Sequence, residues 1–265
     1  YILSLMDKKN IDFKKALEQA KKLGYAESNP KSDLNGEDVA SKLKILTALS
    51  FNSFINNKNI SVEGINNIDQ IDINNANILG FKIKLLGIAE TFGNKIIQRV
   101  HPSLVNNESY MAKINGVLNA VVAESKPVGK SVLQGEGAGP GPTTSALISD
   151  LCSVMRGNIK FPFVIPNKKR KTISFETIKN KRFSVYLRLD VKDQHGVLSN
   201  ITKVMSKNKI SIKRLIQNPI KSKSFASIVI ITHQAKDSLF TKMLQELNNK
   251  KFVISKPKLT NKFLK

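Results

Sequence analysis

Apolar side chains recur every three or four residues over 12–23, where Phe13, Ala16, Leu17, Ala20 and Leu23 share one face and Gly24 stands where a helix ends. A second helix is predicted over 36–50, with Val39, Leu43 and Leu46 as its buried stripe. The period then falls to two. Ile60-Ser61-Val62-Glu63 alternates as a strand, and 81–92 and 95–105 read as two strands around Gly93-Asn94, a hairpin turn pair. Residues 115–123 form another apolar strand. Residues 143–155 return to helical spacing through Ala146, Leu147, Asp150, Leu151 and Met155.

A boundary is predicted across 158–181, which holds Pro162, Pro166 and the charge run Lys168-Lys169-Arg170-Lys171, with a few apolar residues able to pair as a short strand or two. It divides the chain into modules over 1–157 and 182–265. In the second, 183–191 alternates as a strand and 196–206 is a helix with Val197, Ile201, Val204 and Met205 inward. Strands at 210–217 and 225–232 flank a polar turn at 219–224. Leu239, Phe240, Met243, Leu244 and Leu247 mark a second amphipathic helix, and 252–256 a last strand. The order βαββαβ predicts a ferredoxin-like unit with both helices on one face of its sheet. The predicted class is α+β, a mixed sheet with helices followed by that unit.

Composition narrows the function. The 41% hydrophobic content supports a sizeable core, and no apolar run is long enough to span a membrane. The single cysteine, Cys152, supplies neither an internal disulfide nor a cysteine metal cage, which suits a reducing, cytoplasmic setting, and no metal site is predicted. The chain starts at Tyr1 without a signal-like apolar segment and reads as the continuation of something longer. Net charge is +23, of which residues 158–265 carry +20. A nucleic-acid partner is the first thought. However, the charge is nearly all Lys, Arg occurs only at 99, 156, 170, 182, 188 and 214, and aromatics are 6% with no Trp. A solvated lysine surface is the favoured reading.

Two stretches carry candidate chemistry. In the first, Asp38 and Lys42 lie four apart on one helix face, while Glu27 and Asp33 lie in the loop feeding that helix, whose start Asn35 can cap. Carboxylates and a lysine converging there can grip an ammonium group and relay a proton, although the plain alternative is a surface ion pair. The second is Gln134-Gly135-Glu136-Gly137-Ala138-Gly139-Pro140-Gly141-Pro142-Thr143-Thr144-Ser145, a glycine-rich run into the apolar helix. It is neither a Walker loop nor a Rossmann fingerprint. Alone it reads equally well as a tight turn.

Together these stretches resemble homoserine dehydrogenase. The likeness runs through Tyr1-Ile2-Leu3, Gly24-Tyr25-Ala26-Glu27, Asp33-Leu34-Asn35-Gly36-Glu37-Asp38-Val39-Ala40-Ser41-Lys42, Glu63-Gly64-Ile65, Leu79-Gly80-Phe81-Lys82-Ile83-Lys84-Leu85-Leu86-Gly87-Ile88-Ala89, Val100-His101-Pro102-Ser103-Leu104-Val105 and Gly137-Ala138-Gly139. It covers about residues 1–156, and the second module resembles an ACT regulatory domain. The resemblance implies NAD(P)-dependent interconversion of L-homoserine and L-aspartate 4-semialdehyde (EC 1.1.1.3), on the route to threonine and methionine. It assigns the acid–base role to Lys42, substrate contacts to Glu27, Asp33, Asp38 and Tyr25, and a place beside the cofactor to Gly139. Asn29 stands where many members carry Asp and is given no role. The family's N-terminal nucleotide domain and most of its monovalent-cation (sodium) site have no counterpart here. The expectation is a fragment, inactive by itself, whose helix from Thr143 shows a partly orphaned apolar face. Homodimers or homotetramers are implied, with the strands between 81 and 125 as contact. Asp193, His195, Gly196, Val197 and Leu198, at the strand-to-helix turn of the ACT-like unit, are the expected site for L-threonine. A module that only dimerises is the alternative. His101 is expected to be structural, at a strand end. A non-catalytic amino-acid sensor and a lysine-rich nucleic-acid binder remain the readings from other classes.

Overall fold

A computed structural model describes residues 1–27, 29–54, 60–158, 165–219 and 225–262. In chain order the first module runs α1 (Ile2–Lys9), α2 (Phe13–Lys22), α3 (Lys31–Asn35), α4 (Glu37–Phe51), β1 (Ile60–Val62), α5 (Gln70–Ile78), β2 (Phe81–Phe92), β3 (Lys95–Asn106), α6 (Tyr110–Lys113), β4 (Leu118–Ser125), β5 (Gly129–Glu136) and α7 (Pro140–Met155). There follow β6 (Phe175–Glu176), β7 (Arg182–Lys192), α8 (Val197–Lys207), β8 (Ile212–Pro219), β9 (Phe225–Thr232), β10 (Ala235–Lys236), α9 (Asp237–Asn248) and β11 (Lys258–Lys262).

The long hairpin forms where alternation predicts it. β2 and β3 pair from Phe81↔Asn106 to Phe92↔Lys95, with Gly93 at φ +59° in the turn. The other edge of β3 is shared in succession: β6 pairs with Ile96 and Ile97, β1 with 98–100, and β11 with Ser103 and Leu104, all parallel. The predicted short strand in the connecting segment is therefore β6, while residues 159–164 and 220–224 lie outside the described residues.

β11 is antiparallel to β7 along Ser184–Arg188, so nine described strands form one sheet across both modules. Within the second module the order β11-β7-β9-β8, with all neighbours antiparallel, is the predicted βαββαβ arrangement. Helices α8 and α9 cover one face through Val197, Ile201, Val204, Met205, Phe240, Met243 and Leu247, packed on Val185, Leu187, Leu189, Ile228 and Ile230. The other face is covered too. Tyr186, Val229 and Ile231 join Met6, Ala20, Ile65, Ile68, Ile73 and Ala76 in a core shared with α1, α2 and α5. Alternation therefore gives the side each residue faces, and burial is high on both.

Several elements depart from expectation. The last strand is not 252–256. That segment only brushes the end of β7, through Lys192 N–H to Phe252 O (2.9 Å) and Ile254 N–H to Asp190 O (2.8 Å), before Pro257, which has no N–H to donate; β11 begins after it. Strand β4 starts at Leu118, and β5 pairs with it as a separate two-stranded ribbon from part of the glycine-rich run. In α4 the deeply buried residues are Ala40, Leu43, Thr47 and Ala48, while Val39 and Leu46 are half-buried. A β-carbon on Gly87 of β2 would stand 3.0 Å from Val39, so the helix lies close on the sheet at that point. His101 sits mid-strand in β3, opposite Leu86, rather than at a strand end.

Helix α7 starts at Pro140, because a first-turn proline gives up only N–H groups that have no intrahelical partner. It buries no residue. Leu147, Ile148, Leu151, Val154 and Met155 are 53–77% exposed, the orphaned face expected from sequence. Among the described residues no helix is long and apolar enough to cross a membrane.

Candidate active site

Short helix α3, begun at Pro30, runs into α4 through Gly36 at φ +87°. Asp33 thus lies inside a helix rather than in the feeding loop, because Leu34 is drawn down onto the shared core and its carbonyl accepts the Ile65 N–H at 2.8 Å. Gly36 and Gly64 make this junction possible. A β-carbon on Gly64 would stand 1.9 Å from Leu34 O and 2.4 Å from Asn35 Cα. Gly36 combines a left-handed backbone with Val100 and Glu63 O at 3.2 and 3.3 Å from its β-carbon position. Asn35 Oδ1 accepts the Glu37 N–H at 3.2 Å, the predicted side-chain cap, although Gly36 is the residue at the cap position itself.

On the outer side of α4, Lys42 Nζ lies 2.5 Å from Asp38 Oδ2, with the two side chains 67% and 40% exposed. The carboxyl of Asp33 is raised above its ordinary value, first by burial, then by the negative charges of Asp38 and Glu27, with Lys42 opposing. Glu27, Asp38 and Lys42 thus all bear on Asp33 at the turn. Tyr25 precedes Glu27 and stacks at a tilt on Tyr1, ring centroids 5.0 Å apart. Glu63, from the loop beneath, also has its carboxyl raised by burial; sequence reasoning gave it no role, and its signal is the adjacent Gly64 that only a close backbone contact requires.

Gly139 stands apart at the start of α7. Its backbone is at φ +106°, and nothing lies within 4 Å of where a β-carbon would project, so a flat ligand group has open access to the helix start. Gly137 is closed by Asn119. Among the described residues no group of three or more His, Cys, Asp or Glu is placed to hold a metal.

The second module has a cavity of about 110 Å³ at its strand-to-helix turn, lined by Lys192, Asp193, Gln194, Gly196, Val197, Leu198, Gln217 and Ile228 among others. Gly196 caps α8 with φ +80°, and the first amides of that helix have no intrahelical acceptor. Of the five residues expected here, His195 is exposed and does not line the cavity; the other four do.

His101 is buried with a lowered pKa of about 4, chiefly through burial. Arg99 Nε donates to its Nε2 at 3.2 Å, so the ring proton sits on Nδ1, 2.9 Å from Pro102 O. Arg99 also pairs with Glu90 and lies over the Phe183 ring at 5.2 Å. The arginines are used inwardly as well: Arg188 holds Asp69, Arg182 bonds Gln234 O and Arg170 lies over Phe54. Arg156, Arg182 and Arg214 stay exposed among the lysines.

A family model for homoserine dehydrogenase matches residues 1–152, and one for the ACT domain matches 185–251. The homoserine dehydrogenase of Helicobacter pylori is 37% identical over 261 residues, covering 98% of this chain and 61% of that protein. The one from Bacillus subtilis is 35% identical over 254 residues, covering 94% and 58%. A crystal structure of a homoserine dehydrogenase from Thiobacillus denitrificans superposes with a TM-score of 0.89 at 31% identity, over 99% of this chain and 61% of that one. The S. aureus enzyme at pH 6.0 gives 0.70 at 27%. The chain spans less than two thirds of the length of these relatives. With the junction of α3 and α4, the βαββαβ unit and these matches in agreement, the chain belongs to the homoserine dehydrogenase family, with an ACT domain as its second module.

Proposed function

We propose that this chain is the substrate-binding, proton-transferring and regulatory part of an NAD(P)-dependent homoserine dehydrogenase (EC 1.1.1.3), with residues 1–157 as the catalytic and dimerisation unit, 158–181 as the linker and 182–265 as the ACT unit. The observation that carries the reading is the meeting of three carboxylates and one lysine at the turn from α3 into α4. Glu27, with Asp33 and Asp38, supplies the negative charge that an amino-acid ammonium group needs. Lys42, held by Asp38 and reaching into solvent, presents an ammonium to the aldehyde oxygen of L-aspartate 4-semialdehyde and gives it a proton as the alcohol forms. In the reverse direction the same nitrogen receives the hydroxyl proton of L-homoserine. NAD(P), when bound, carries the hydride. Gly139 and the start of α7 offer its nearest backbone approach on this chain, and the exposed apolar face of α7 is the seat for the domain that holds the rest of it. A monovalent cation would draw its ligands chiefly from outside this chain. By itself the chain is inactive in this reading.

The cavity at 191–198 takes a small amino acid, L-threonine being the end product that would report on the pathway, and the strands between 81 and 125 pair two copies into a dimer or tetramer, in the cytoplasm. The test is L-homoserine-dependent reduction of NAD or NADP by this chain fused behind a nucleotide-binding domain of the family. Turnover that falls at least about a hundredfold in Lys42→Ala, with an unchanged circular dichroism spectrum, supports the assignment. Undiminished turnover in that variant removes Lys42 from the mechanism.

A further inference from the structure

Arg188 lies on β7 of the second module, yet its guanidinium is spent on the first. Nη1 donates to Asp69 Oδ1 at 2.8 Å and Nη2 to Oδ2 at 2.7 Å, a two-pronged pair, while Nε stands 3.3 Å from Asp72 Oδ1 and 3.9 Å from Asp190. Lys258 of β11 donates to Asp69 Oδ2 at 2.6 Å, and Tyr186 OH to Asp72 Oδ1 at 3.0 Å. Arg188, Asp72 and Tyr186 are buried. The two carboxylates are already employed locally. Asp69 accepts the Ile71 and Asp72 N–H groups and donates its own N–H to Asp72, closing the capping box of α5. A capping box is complete without partners from another module, so the three extra donors serve something else.

The segment upstream of Asp69 indicates what that is. Ile65 and Ile68 are anchored in the shared core, Gly64 lies flush against the backbone of Leu34 and Asn35, and Ile65 N–H is bonded to Leu34 O. Asp33 and the turn into α4 rest on that segment.

We propose that Arg188 is a positioning residue for the candidate substrate site, clamping the α5 start and thereby the 63–69 segment that supports Asp33, Asp38 and Lys42. The proposal rests on reading those residues as that site. Because β7 runs directly from Arg188 into the 193–196 turn, the clamp also joins that turn mechanically to the α3–α4 junction.

Amide hydrogen exchange of this chain tests it, with wild type, Arg188→Met, Arg188→Lys and Asp69→Asn compared. In Arg188→Met and Asp69→Asn, amides of Ile65 and of residues 31–43 should exchange at least tenfold faster, while α2 and α8 stay within twofold; Arg188→Lys should recover part of the protection. The proposal falls if the start of α5 loosens but 31–43 keeps its wild-type rates, if α2 and α8 accelerate equally, or if no segment changes. Asp69→Asn keeps a capping side chain and stands in if Arg188→Met does not fold; failure of every variant to fold makes the cluster a general stabiliser and likewise overturns the clamp. Neither substrate nor cofactor is involved, so a negative result leaves the Lys42 assignment standing, and an active Lys42→Ala enzyme leaves the exchange result standing.

Discussion

At the scale of single residues, the chain separates groups that act from groups that hold. Lys42 and Asp38 form an exposed pair worth only a few tenths of a kcal/mol to the fold, so Lys42→Ala should leave the urea midpoint almost unchanged while removing turnover from the extended enzyme. Gly64 is the reverse. Its β-carbon position lies 1.9 Å from the Leu34 carbonyl oxygen, and Gly64→Ala should cost about 1–3 kcal/mol in urea unfolding by forcing the α3–α4 turn away. His101 and Asp72 give opposing pH dependences. The His101 pKa falls from 6.5 to about 4 on folding, so its contribution is complete above pH 6.5 and is lost as pH drops through 4, up to about 3 kcal/mol. Burial raises Asp72 to about 6, so its contribution is complete below the ordinary carboxylate value and is lost as pH rises through 6. Asp72→Asn should therefore make stability fall more steeply than in wild type as pH is lowered from 7 to 4.5, read from urea midpoints at each pH.

At the scale of elements, α7 presents an apolar face to solvent across about its last two and a half turns. Replacing Leu147 and Leu151 by Ser should change the stability of this chain by less than about 0.5 kcal/mol, measured by urea unfolding, while weakening its association with a nucleotide-binding domain. What is legible in sequence follows from local pattern. The β2–β3 hairpin, α2, α8 and α9 each pair a clear period with a turn or cap residue, and all appear with little adjustment. Helix α5 runs through Gln70-Ile71-Asp72-Ile73-Asn74-Asn75-Ala76-Asn77, where asparagine is a poor helix former, and its capping box, its burial and its bonds to Arg188, Lys258 and Asp7 hold it. Ser184, Tyr186 and Arg188 alternate with the apolar residues of β7 as on a solvated strand. Tyr186 and Arg188 bond the start of α5, a partner more than a hundred residues away that no local pattern names. In the candidate site, Lys42, Asp38 and Asp33 are legible by resemblance and spacing; the supports at Gly64, Asp69 and Arg188 are tertiary and are not.

At the scale of the whole molecule, two modules share one sheet and one core. The ACT sheet has α8 and α9 on one side and the first module on the other, so the boundary suggested by proline and charge runs is crossed twice, by β6 and by β11. The position of β11 bears on how such a chain is made. Its partner on β3, Ser103, leaves the ribosome about 160 residues before Asn261, at the rate-limited pace of synthesis. Until then the end of β3 is an open edge able to pair with any neighbouring extended chain. The first module consequently cannot complete its sheet before the second has been made. Ribosomes crowded on one message should present several such edges at once, and the intermediate at risk of aggregation is the one that has made α9 but not yet the strand after Pro257.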